Sequence, residues 1–229
     1  MSVDLLGIGK GLEAFEKLTK EMRVLAEAYF KPQVEERGMA KADKIRVRRL
    51  ENLNQMLRKS KKLLKNRSIK PGPLNLKLGV PLLEYASLEE DDNLQSKWAG
   101  LLASSLVGDQ VLASFPKILS ELTPVEACLL DALFKAHAYR EPESDPSVFA
   151  TATSADVRQM LGLKEGTFRV LAENLCRLGL LESVTASPRF WSDTDNIQHP
   201  TFMEIRLTAL GFEFVKACEG PQAQKRKRK

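Results

Sequence analysis

Four consecutive carboxylates, Glu89, Glu90, Asp91 and Asp92, are the residues of this sequence whose types could do chemistry. Such a run suggests a divalent cation and metal-assisted hydrolysis, as in a nuclease. The spacing argues against it. Neighbouring residues on a helix do not converge on one point, and acids collect at helix N-termini because they cap and meet the dipole there. No His or further acid is spaced to complete a ligand set, so no catalytic residue, metal site or cofactor is expected. The two histidines, His137 and His199, are far apart in sequence, with no Cys at ligand spacing. Cys128, Cys176 and Cys218 form no close pair, and each falls on an apolar helical stripe as a small core residue would. Unpaired cysteines, a start unlike a signal peptide and no bilayer-length apolar run make a cytoplasmic protein the expectation.

The cations are the second chemical resource. The net charge of +5 conceals a division along the chain. Residues 1–80 hold 19 basic and 9 acidic side chains, whereas residues 81–219 hold 11 and 21. The last residues add Lys225, Arg226, Lys227, Arg228 and Lys229. Between Lys41 and Arg67 there are eleven basic residues and two acidic ones. Lys41, Lys44, Arg46, Arg48, Arg49, Arg58, Lys59, Lys62 and Arg67 are therefore candidates for touching an anion, either nucleic acid or acidic lipid headgroups. The competing reading is a solvated helix face, since Lys and Arg are good helix formers. The tail from 220 is poor in apolar residues and is expected to be disordered.

These residues need elements to hold them. Phe15, Leu18, Met22, Leu25 and Tyr29 step by three and four, the seam of a helix that packs along another helix. That seam serves a homo-oligomer as readily as an intramolecular hairpin. A second helix reaches about Arg67, with Leu50, Leu53, Leu57 and Leu64 on one face and Met56 and Leu63 beside it. Together residues 1–67 read as a basic helical arm, folded as a hairpin or docked on the body. Residues 68–80, with Pro71, Gly72 and Pro73, read as a linker. A central helical core follows over 81–122. Pro81 opens a short helix; Asp92 is expected to cap the next one, with Gln95 completing a capping box. Thr123, Pro124 and Glu126 mark another start. Val125, Cys128, Leu129, Ala132, Leu133 and Ala136 are the apolar face expected for the helix that follows.

Residues 123–219 read as a winged-helix-like unit. Thr153 or Ser154 caps a helix carrying Val157, Met160 and Leu161. A turn at Gly162 leads to a second helix with Phe168, Leu171, Leu175 and Leu178 inward. Two strands follow, 180–184 and 202–207, and Thr208 caps a last helix ending near Cys218. Groove reading by the second helix is the obvious use of such a unit. Yet residues 120–219 hold 9 basic and 15 acidic side chains, a balance that phosphate repels. Arg169 and Arg177 on that helix, with Arg189, Phe190 and Trp191 in the long loop, are instead candidates for contacting a protein partner. Phe190 and Trp191 folding back onto the core is the alternative.

The phrases LLEYASLEEDDNLQSKWAGLLASSL and SFPKILSELTPVEACLL, with NLCRLGLLE and LTALGFEFVKAC further on, resemble the bacterial abortive infection alpha (Abi-alpha) family. The family pattern is an apolar helix, an acidic turn, here residues 87–92, and a helix with a tryptophan, here residues 94–103 with Trp98. On that match Leu94, Trp98, Leu101, Leu102 and Phe115 are the motif core, and the resemblance covers about residues 80–218. One departure is the Val-Leu-Ala-Ser before Phe115, where a His-Pro-like lead-in is expected. The resemblance implies a role in phage defence and supplies no catalytic residues. The sequence thus points to a mainly α-helical, non-enzymatic protein that acts by contacting other macromolecules. A nucleic-acid-binding regulator using the winged helix and the basic arm is the alternative, and an enzyme built on the 89–92 acids the third reading.

Overall fold

A computed structural model describes residues 39–108, 111–140, 151–183 and 204–221, together with Lys20. The expected seam at residues 12–29, the aromatic loop and the tail beyond Pro221 lie outside the described residues. The protein is mainly α-helical with one small antiparallel sheet, as the sequence predicts. Among the described residues, no helix is long and apolar enough to cross a membrane. The chain divides into two compact units, residues 1–121 with 216–229, and residues 122–215.

The first unit is helix on helix. Helix α1 (Met39–Asn66) presents Leu53, Met56, Leu57 and Leu64 to the core and packs along α3 (Asp92–Val107). The Lys and Arg between those leucines are strong helix formers and fill the opposite side. Helix α3 is buried almost all round: Leu94, Trp98, Ala99, Leu101, Leu102 and Ala103 are each at most 3% exposed, and Gln95, Lys97 and Ser104 are buried with them. It is the central element of the unit. Helix α2 (Leu76–Ala86) and α4 (Phe115–Ser120) close the core with Leu82 and Phe115, both fully buried.

Two expectations are corrected here. Helix α2 begins at Leu76 inside the expected linker, because the Asn75 side chain accepts the Lys77 N–H at 2.9 Å. Pro81 lies within that helix rather than at its start. The cap of α3 is Asp91, not Asp92: its carboxylate accepts the Leu94 N–H at 2.9 Å. Gln95 does not complete a box with Asp92; its amide donates to the Glu89 carbonyl at 2.9 Å.

The second unit starts at α5 (Pro124–Arg140). Its capping box forms as expected, with the Glu126 carboxylate accepting the Thr123 N–H at 2.7 Å and the Thr123 hydroxyl accepting the Glu126 N–H at 3.3 Å. Then come β1 (Thr151–Thr153), α6 (Ser154–Leu161), α7 (Glu165–Arg177), β2 (Leu181–Ser183), β3 (Glu204–Leu207) and α8 (Ala209–Cys218). The sheet has the order β1-β3-β2, with Ala152 opposite Ile205 and Leu181 opposite Leu207. Strand β1 is a third strand, beside the two that the sequence leads one to expect. Thr153 caps α6 through Asp156 and Thr208 caps α8 through Gly211. A Cβ on Gly211 would lie 2.1 Å from the Leu180 carbonyl oxygen, so the start of α8 meets the chain entering β2 at a distance only glycine allows. The division between the units falls within α8.

The apolar face of α5 also differs from expectation. Ala127, Leu129, Leu130 and Leu133 are buried, whereas Val125 is 39% exposed and Cys128 and Ala136 face solvent. Cys218 is a core residue as expected, and Cys176 is half-buried. The shift has a cause: Glu126 is itself only 1% exposed, so the buried side of α5 is centred on a carboxylate.

Candidate interaction surfaces

The acidic run turns out to be structural in its connections. Glu89 accepts the Asp91 N–H at 2.9 Å, and Asp91 caps α3. Glu90 pairs with Arg48 of α1 at 2.9 Å. Asp92 pairs with Lys59 at 2.6 Å, and the same ammonium donates to the Asp92 carbonyl and the Ser96 hydroxyl. Arg49 donates to the Ser87 hydroxyl and Asn52 to the Ser87 carbonyl, at 2.9 and 3.0 Å. The turn before α3 is thus stitched to the side of α1 by opposite charge and by hydrogen bonds. Among the described residues, no group of three or more His, Cys, Asp and Glu gathers around a common point.

This stitching sorts the nine basic candidates. Arg48, Arg49 and Lys59 serve the acidic turn. Arg67 donates to the carbonyl oxygens of Glu219 and Pro221, and Arg46 is half-buried. Lys44, Arg58 and Lys62 are exposed; the side chain of Lys41 lies outside the described residues. Lys65, which follows Lys62 by three residues, is exposed as well.

Arg67 introduces a feature with no local sequence signal. Residues 217–221 run as a strap against α1 and α3. Ser104 donates to the Ala217 carbonyl at 2.9 Å, and Lys97 pairs with Glu219 at 2.6 Å with its own side chain only 9% exposed. A Cβ on Gly100 would lie 1.8 Å from the Cys218 carbonyl oxygen, so this α3 glycine lets backbone meet backbone. Gly220 and Pro221 are buried at the end of the strap.

In the second unit, the outward cations of α7 are all engaged. Arg169 pairs with Glu173 at 2.8 Å, and Arg158 of α6 pairs with Glu165 at 3.2 Å. Arg177 donates to the Asn174 side-chain oxygen at 2.8 and 3.0 Å. Asn174 in turn donates to Glu126 at 2.7 Å, tying α7 to the start of α5. Sequence reasoning missed that tie because it joins residues 48 positions apart. Exposed apolar residues sit beside these pairs, Val170 at 66% and Met160 at 57%. Burial, and after it the carboxylates of Glu173 and Glu182, push the Cys176 thiol up from its ordinary value. Arg189, Phe190 and Trp191 lie outside the described residues. The five motif residues are all buried, at 3% exposure or less, so they build the first unit rather than a surface.

No curated protein and no solved structure matches the chain. The model of the family described as abortive infection alpha matches residues 46–218, taking in α1 from Arg46, the acidic turn, α3 and the whole second unit. With three quarters of its length accounted for in this way, the chain belongs to the abortive infection alpha family.

Proposed function

We propose that the protein acts in the cytoplasm in defence against phage, without catalysis of its own, and that it works by contacting other macromolecules through its second unit. Family membership supports the setting. The connections of Glu89, Glu90, Asp91 and Asp92, each to a backbone N–H or a cation, support a structural use for this run of four acids. The order of helices around the β1-β3-β2 sheet supports a winged-helix reading of residues 122–215.

The observation that carries the choice of partner is the state of α7. A groove-reading helix offers free cations to phosphates and bases. Here Arg169 and Arg177 are held by Glu173 and Asn174, and what remains outward is Val170 beside those pairs. Apolar side chains rimmed by paired charges fit a protein surface better than a nucleic acid. The experiment is expression in a susceptible bacterial host challenged with a broad phage panel, wild type beside Val170→Asp. Reduced phage yield with wild type, lost with the variant at equal protein level, is the expected result. No effect of wild type on phage yield or host survival would overturn the reading.

A further inference from the structure

The charge of α1 is one-sided in a way that its folding does not require. Between Glu51 and Glu84 the chain holds eight basic residues and no acidic one. Part of that charge is used inside the first unit: Lys59 binds Asp92 and Ser96, and Arg67 binds the Glu219 and Pro221 carbonyls. Arg58, Lys62 and Lys65 are left over. All three are exposed, and among the described residues none has an ion-pair or hydrogen-bond partner for its side chain. Steps of four and three residues place them on one face, turned away from the buried Leu53, Met56, Leu57 and Leu64. Lys44, exposed and likewise without a partner among the described residues, stands about five turns before Lys62 on that face. Glu51 and Gln55 lie between, so the charge is densest from Arg58 to Lys65.

A helix face that only has to meet water is not built this way. Glu and Gln form helices as well as Lys and Arg do. A Glu four residues before a Lys stabilises a helix, whereas two cations at that spacing repel each other. Arg58 and Lys62 stand four residues apart and Lys62 and Lys65 three, with no acid within reach on the helix. Helix α7 meets the same need with Glu173 beside Arg169. On α1 an anion from outside the chain would relieve the repulsion.

We propose that this outer face of α1, through Lys44, Arg58, Lys62 and Lys65, docks the phosphate backbone of duplex DNA without regard to sequence. The face runs about 31 Å from Lys44 to Lys65. Its helix is held from behind by buried leucines and by the clamp of Lys59 on the acidic turn, so little order is lost on binding. A duplex is equally rigid and offers one negative charge for about every 1.7 Å of its axis. Contacts to phosphate position a protein but carry no base information. Single strands need aromatic platforms on which bases stack, and none of the large apolar side chains exposed among the described residues is aromatic. A membrane surface needs apolar anchoring beside the cations, and no large apolar side chain is exposed between Val47 and Leu76. The site gives the first unit a partner of its own, beyond the protein contact proposed for the second. Its test uses purified components, so its failure and a failed infection assay are separate results.

The test is fluorescence anisotropy of the full chain with a labelled mixed-sequence duplex of about 20 base pairs across a salt series. Wild type is expected to bind at about 50 mM salt with a steep negative slope of log K on log salt. The triple variant Arg58→Gln, Lys62→Gln, Lys65→Gln changes only exposed side chains and keeps helix propensity. It should bind about a hundredfold more weakly and lose about three units of slope. A control triple variant, Lys77→Gln, Lys135→Gln, Lys164→Gln, removes the same charge from exposed positions on α2, on α5 and before α7. Its affinity should stay within about threefold of wild type, since screening confines each charge to its surroundings. Three results overturn the proposal. One is no duplex binding at low salt. Another is an α1 triple variant that binds no worse than the control, which would assign the affinity to net charge or to the second unit. The third is tighter binding of labelled single-stranded RNA, or of vesicles of acidic phospholipid, than of duplex.

Discussion

Helices α1 and α7 are both amphipathic and both carry cations outward, yet they dispose of the charge in opposite ways. On α7, Arg169 and Arg177 are each satisfied by a side chain three or four residues away on the same helix, the spacing at which neighbours on a helix meet. On α1, Arg48, Arg49 and Lys59 are engaged from another element, by the acidic turn. The cations at 58, 62 and 65 have no acid three or four residues away. Counting basic residues therefore misjudges both helices. What matters is whether an acid sits within one turn.

Several variants would break this comparison or sharpen it. The largest effect is expected at Gly100→Ala, which drives a methyl group into the Cys218 carbonyl. Backbone cannot give as a side chain can, so we expect a loss of about 3 kcal/mol or more. Thermal denaturation should show it, and an unchanged midpoint would mean the strap does not lie on α3. Next comes Glu126→Leu, which strips partners from the Thr123 N–H and from the Asn174 amide, both part-buried. A cost of about 2 kcal/mol is expected, and a loss much below 1 kcal/mol would show that α7 is not held through this tie.

Smaller effects test the surfaces directly. Asp92→Ala should cost less than about 1 kcal/mol in urea denaturation, because its ion pair with Lys59 is largely exposed. If the loss is several-fold larger, the acidic turn anchors α1 more firmly than solvent screening permits. Arg169→Ser should likewise cost less than about 1 kcal/mol in urea denaturation, because its ion pair with Glu173 stands at the surface. A loss well above that would show that this pair holds α7 more firmly than an exposed pair within one helix can. Finally, alkylation by iodoacetamide should mark exposed Cys128 before Cys176. The Cys176 thiol is held in its neutral form by burial and by nearby carboxylates, so its labelling should keep rising at pH values where an ordinary thiol has levelled off. Labelling of Cys176 as fast as Cys128 at neutral pH would contradict the packing of α7.

What could be read from the sequence was the part written in short-range chemistry. Thr123 to Glu126, Thr153 and Thr208 announce their helices because a cap and its hydrogen-bond partner lie within three residues. The motif helix was legible because leucines and Trp98 at helical spacing can hardly be anything but core. Four acids in a row, by contrast, carry no register: Asp91 and Asp92 are both competent caps, and Gln95 three residues after Asp92 favoured the wrong one. Strand β1 was invisible because three residues, Thr151 to Thr153, become a strand only by pairing with β3 some fifty positions on. The buried side of α5 was misjudged because a carboxylate in the core makes sense only once Asn174 is known to face it. The cations of α1 were plain to see. The strap, by contrast, depends on Lys97, Gly100 and Ser104 meeting residues more than a hundred positions later.

Because the first unit draws on residues 216–221 as well as on everything before Leu122, its assembly cannot keep pace with the ribosome. Helices α1 to α4 emerge early, but the backbone groove at Gly100 and the buried ammonium of Lys97 wait for a segment made after the entire second unit. A chain interrupted anywhere in between would leave that ammonium without its carboxylate and the groove open to water. Nascent fragments are thus marked as unfinished by the same contact that completes the mature protein, and proteases or chaperones meeting them would find a different surface from the one the finished molecule presents.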